Sequence, residues 1–211
     1  MTIWNRLKQE YKDTALFFRE RLLRIFLILS LIFIGVGTAS YFLFLSSPDT
    51  VNQMMQELAK SFQDKGLIDE GGISFWFLLG NNLWASAICI LMGFLPFLFL
   101  PVLPLASNAA ILGLSAAYSS ISGMGLAVFA VGILPHGILE LPALILAISL
   151  GFYLCKEMVK QILGRADSFL KTLCNVARTF TLLVIPMMFA AALIETYITP
   201  VLINACAGAL G

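Results

Sequence analysis

The sequence predicts an all-α polytopic membrane protein with about five transmembrane helices and a cytoplasmic N-terminus. Three observations predict it. Hydrophobic residues make up 60% of the 211 and charged residues only 12%, against about 25% charged in soluble domains. The apolar residues gather into runs as long as the ~20 residues that one bilayer crossing needs. Eleven of the thirteen Lys and Arg residues lie in two segments, 1–24 and 155–178. By the positive-inside rule both segments face the cytoplasm, which requires an even number of crossings between them.

Residues 1–24 carry six basic and three acidic residues. Trp4, Leu7, Tyr11, Ala15, Phe18 and Leu22 recur at three- and four-residue steps and share one helix face. This pattern predicts a cytoplasmic amphipathic helix lying on the membrane surface. The remainder, 25–211, reads as the membrane domain. Its first span is 25–45, a run of 21 residues. That is longer than the apolar core of a signal peptide, so an uncleaved anchor is expected.

An extracytoplasmic loop, 46–74, follows, with five acidic residues and two lysines. Pro48-Asp49 reads as a helix start and Gly66 as a stop. Met54, Met55, Leu58 and Phe62, with Val51, form an apolar face that suits docking of another protein. The second span is expected at 75–100, ended by Pro101 and Pro104, and the third at 105–121. Were the third to dip in and out, only three crossings would separate the basic segments, so it is read as a span. The fourth is expected at 126–154 and the fifth at 179–199.

Small residues recur every fourth position at Ala109/Gly113/Ala117, at Ala143/Ala147/Gly151 and at Gly35/Ala39. In lipid such stripes let helix backbones approach closely. They serve packing within one chain and equally suit a homo-oligomer.

Polar side chains in hydrocarbon are costly and need an account. The densest group is Pro135-His136-Gly137-Ile138-Leu139-Glu140-Leu141-Pro142, which holds the only histidine. His136 and Glu140 stand four apart on one helix face, where they can pair. Each proline leaves a carbonyl four residues back, Val131 or Ile138, without its partner. A straight helix of 29 residues rises ~43 Å, against ~30 Å of hydrocarbon. A kink at the motif, or a break into two pieces, would answer both facts. Asn81 and Asn82 open the second span and Asn108 the third, and any of them could bond the freed carbonyls. Glu195, in the last turn of the fifth span, reads as an interface residue.

The inventory excludes several functions. One histidine leaves at most His136, Glu140 and Glu195 for a catalytic zinc, which usually takes three protein ligands. There is no H-E-x-x-H and no G-x-S-x-G. We therefore expect no enzyme activity, no cofactor and no metal. Cys89, Cys155, Cys174 and Cys206 show no C-x-x-C or metal spacing. A net charge of +1 gives no field for nucleic acid.

The segment Pro135–Ala143 resembles the signature of the stage II sporulation protein M family. Asn81-Asn82, Gly93, Asn108 with Gly113, and Gly151 fall in the order of that family's other marks, so the resemblance covers about residues 75–155. Ala109 departs from it, standing where a glycine follows the asparagine, which argues against a close backbone approach there. The name-giving member is a membrane scaffold that anchors a peptidoglycan-degrading complex. The resemblance thus implies a plasma-membrane scaffold whose partners are the bilayer and other envelope proteins, cell-wall hydrolases among them. The residues alone also admit a small transporter, channel or lipid-handling protein with a protonatable His136/Glu140 site. In that reading, as in the first, the motif either works chemically or locks the helices together.

Overall fold

The computed structural model describes residues 3–64, 66, 68–69, 72–165 and 168–210. Of the expected acidic-loop charges, Lys65 and Glu70 lie outside the described residues. Among the described residues, five helices are long and apolar enough to cross a membrane. We number the helices α1 (Ile3–Leu45), α2 (Pro48–Asp64), α3 (Phe75–Phe94), α4 (Val102–Ile121), α5 (Gly125–Ile162) and α6 (169–210). The other regular structure is a two-residue antiparallel ladder, β1 (Ile68–Asp69) with β2 (Gly72–Ile73), in the loop after α2.

Helix α5 is the hub. Every residue from Ala143 to Gly151 is buried, and α1, α3, α4 and α6 pack around it. The outer helices turn large apolar side chains outward: Leu31 is 71% exposed, Trp76 75% and Trp84 66%. In water such a surface would aggregate; in a bilayer the lipid chains solvate it.

Two helix crossings depend on glycine. A Cβ on Gly93 of α3 would run into the carbonyl of Gly151 on α5, and one on Gly151 would run into the carbonyl of Cys89. A Cβ on Gly113 of α4 would likewise strike the carbonyl of Gly37 on α1. The stripes Ala109/Gly113/Ala117 and Ala143/Ala147/Gly151 are buried as expected. On α1 the sequence pointed to the wrong side. Gly35 and Ala39 face outward, and Gly37 makes the contact. Ala109 does not prevent close approach, because Gly113, one turn on, carries it.

Several boundaries differ from expectation. Residues 3–45 form one continuous helical run, with a π-helical turn at Phe18–Leu22, so the N-terminal segment extends the first span instead of turning onto a surface. No Gly or Pro stands there to turn the chain, and Glu10 and Asp13 are drawn to Arg178 of α6 at 3.2 and 3.6 Å. The second span stops at Phe94, not at residue 100. Pro96 and Pro101 forbid a continuing ladder, and Phe97 and Phe99 take left-handed φ of 69° and 47° in the link to α4. Gly66 ends α2 with φ +70°, as its type predicts. Helix α5 spans 38 residues and passes through both Pro135 and Pro142 without the expected break. At ~1.5 Å per residue, α5 is far longer than the hydrocarbon is thick, and its surplus at the basic end joins the starts of α1 and α6.

Candidate functional site

Near one end of the bundle, ionisable side chains from two helices meet. His136 and Glu140 come from α5 and Glu195 from α6, and ligand-type atoms of the three lie within 4.8 Å of one another. His136 is only 7% exposed. Its Nε2 stands 4.0 Å from Oε2 of Glu195, and its Nδ1 3.3 Å from the Thr199 hydroxyl. Asn82 of α3 donates from Nδ2 to Oε1 of Glu140 at 3.1 Å. The site therefore joins three helices through four polar side chains and the Thr199 hydroxyl.

Local sequence explains this convergence. The four-residue spacing puts His136 and Glu140 on one face of α5. Gly137, buried beside them, has the Ile133 side chain at 3.2 Å from where a Cβ would lie. The Gly93–Gly151 crossing brings α3 against α5 about three turns from Asn82. Glu195 sits in a π-helical turn, Ile194–Ile198, an irregularity often found at functional sites.

The expected residues divide cleanly. His136, Glu140 and Asn82 are brought together, and Glu195 joins them instead of lying idle at an interface. Asn81 is exposed and donates to Asn82 at 3.4 Å. Asn108 is exposed and donates to the Pro104 carbonyl of its own helix at 2.8 Å, outside the site. Pro135 and Pro142 flank the site within α5, and Gly93, Gly113 and Gly151 act in packing. Thr199 was missed, and a lone threonine in an apolar run carries no signal by itself. Of the α2 face, Val51 is fully buried and Met55, Leu58 and Phe62 are half-buried where α2 lies along α4, so much of that face is already covered. Met54 remains exposed.

A cavity of about 490 Å³ reaches the site, with Tyr118, Ser119, His136, Glu195, Thr199 and Asn204 on its walls. A second, apolar groove of about 770 Å³ runs between α1, α4 and α5, with Gly37, Gly113 and Gly137 in its floor, and offers no chemistry of its own. At the opposite, basic end lies a polar cleft of about 310 Å³. There Lys160 bonds Glu157 at 2.7 Å, and Arg178 reaches Glu10, Asp13 and Asn175.

Fold and site together define a class: a five-span helical membrane protein with a His/Glu/Glu cluster shared between its central helix and α6. Within that class, residues 25–200 match the family model of Stage II sporulation protein M. The chain belongs to that family. No curated protein and no solved structure matches it.

Proposed function

We propose that this chain is a plasma-membrane scaffold that organises envelope proteins, without chemistry of its own on a substrate. Family membership supports this reading. The structural observation that carries it is α2. Val51 is fully buried and anchors the helix to the bundle, while Gln53, Gln56, Glu57 and Lys60 all point outward on one face. A helix fixed in this way presents a rigid polar shelf at the acidic-loop end, the extracytoplasmic side by the positive-inside rule. The docking surface is then this outward face with Met54, since α4 already covers much of the apolar one. Cell-wall hydrolases are the expected cargo.

The test is pull-down of the envelope complex with Glu57→Lys/Lys60→Glu. Loss of co-purifying partners from a monodisperse bundle is the expected outcome. Unchanged partner composition would overturn the docking surface.

One observation favours a second reading. The cavity at His136 and Glu195 gives a small solute or proton a way to the buried cluster. A transporter of this kind would show pH-dependent flux in liposomes that disappears in Glu140→Gln. A flux equal to that of empty vesicles would dismiss it.

A further inference from the structure

The His136/Glu140/Glu195 cluster poses a charge problem. Two carboxylates and one imidazole are gathered in the apolar part of the bundle, and among the described residues neither carboxylate is paired with Lys or Arg. A protonated His136 would cancel only one of two negative charges. Buried charges that lack compensation are expensive in any protein, and more so at membrane depth.

We infer that His136, Glu140 and Glu195 form a binding site for one divalent transition-metal cation, of the zinc or manganese kind. Two carboxylates and a neutral imidazole with such an ion sum to zero charge. Mixed imidazole and carboxylate oxygen ligands suit these ions. Metal–ligand bonds of ~2.0–2.2 Å place ligand atoms up to ~4 Å apart around one ion. The observed spacing, within 4.8 Å, therefore closes onto a metal with small side-chain rotations.

The partners around these ligands point the same way. Ligating histidines usually donate their second ring N–H to a nearby acceptor, which fixes the tautomer. His136 has such a partner in the Thr199 hydroxyl, 3.3 Å from Nδ1; in the tautomer that carries its proton on Nδ1, the Nε2 lone pair faces Glu195. Asn82 holds Oε1 of Glu140, leaving Oε2 for an ion. The 490 Å³ cavity supplies an entry path and room for a water as fourth ligand. The inference fits the scaffold reading, in which a resident ion would clamp the helices, and competes with the transport reading, in which a proton carrier needs the same site free.

The experiment uses the full chain without a polyhistidine tag, with Cys174→Ser and Cys206→Ser removing two thiols that are not fully buried. The protein is stripped with a chelator, incubated with Zn²⁺ or Mn²⁺, desalted, and its metal counted by mass spectrometry. The expected result is one equivalent per chain and a higher Tm in the loaded protein. Glu140→Gln and Glu195→Gln should each lower retained metal at least tenfold and abolish the Tm shift. Thr199→Val, which removes a positioning residue, should weaken binding about tenfold. An X-ray absorption spectrum of the loaded parent should show only nitrogen and oxygen neighbours. Retention no higher than in a blank without added metal, retention in both Gln variants equal to the parent's, or a sulfur shell would overturn the site. Should a variant fold poorly, the parent's own stoichiometry and spectrum decide.

Discussion

At the basic end of α5, Glu157 is gripped by Lys160 at 2.7 Å, and Arg178 of α6 answers both Glu10 and Asp13 of α1. Nearer the other end of the same helix, Glu140 and Glu195 share one histidine and, among the described residues, no fixed cation. The residue types are similar but the charge balance is not. The basic-end cleft matches its carboxylates with permanent cations and stays partly open to water, where such pairs are worth little and are screened by salt. The interior cluster lies where screening is weak and each uncompensated charge is costly. The difference teaches that the first cluster can be read as a fastening between helix ends, whereas the second requires something from outside the chain, an ion or protons, to be stable.

The largest predicted effect cuts between the two. Gly151→Val sets a branched side chain against the Cys89 carbonyl and the Pro101 ring. Nothing there can yield except the helix itself, so overpacking costs at least ~1–3 kcal/mol. The α3–α5 crossing should open, taking Asn82 from Glu140, while the Arg178 pairs between α1 and α6 persist. Loss of monodisperse protein on gel filtration in detergent is the expected readout. A normally folded Gly151→Val would mean that the helices can separate without cost.

Next in size is Asn82→Leu. It removes the one donor seen on Glu140, and interhelical hydrogen bonds in membranes are worth about 0.6–2 kcal/mol. Thermal unfolding should fall by a few degrees. No change would show that Glu140 does not depend on Asn82 and would break the picture of a three-helix site.

How much of this was legible in the sequence follows from which forces act locally. Spans, prolines and the His136–Glu140 spacing are properties of short stretches, and hydropathy and helix geometry expose them directly. The end of α2 at Gly66 was legible for the same reason. Glu195 and Thr199 were not, because their meeting with His136 depends on how α6 lies against α5, a contact across about 60 residues of chain. The choice of Gly37 over Gly35 on α1 also depended on the partner helix, since both glycines look alike along the sequence. The run of α1 through residues 18–24 was misread because its apolar stripe suggested a surface, whereas the acidic residues on its other side were committed to Arg178.

A sharper test of the comparison uses the sign of a third effect. In metal-free protein, Glu195→Gln removes one of the two carboxylates that have no Lys or Arg partner among the described residues. If burial of that charge burdens the bundle, the variant should be as stable as the parent or more stable. A matching change at the basic end, Glu157→Gln, should do the opposite and destabilise slightly. Paired melting curves in metal-free detergent check both. Loss of stability in the two variants alike would mean that the clusters are balanced in the same way after all.

The smallest effect completes the contrast. Arg178→Ala removes both ion pairs to α1 and the hydrogen bond to Asn175. Its side chain is 24% exposed and that of Glu10 52%. Water and salt therefore reduce each pair to roughly 0.2–1 kcal/mol. The fold should survive with a slight loss of Tm, and α1 should fray first, giving faster amide exchange in residues 3–17 with the bundle unaffected. Raising the salt concentration on the parent should reproduce much of the same fraying, because the pairs lie within reach of mobile ions. Salt should act less on the interior cluster, where His136 is only 7% exposed. Fraying of α1 that resists both the substitution and high salt would show that Phe17 and Leu22, buried beneath the helix, hold it without electrostatic help.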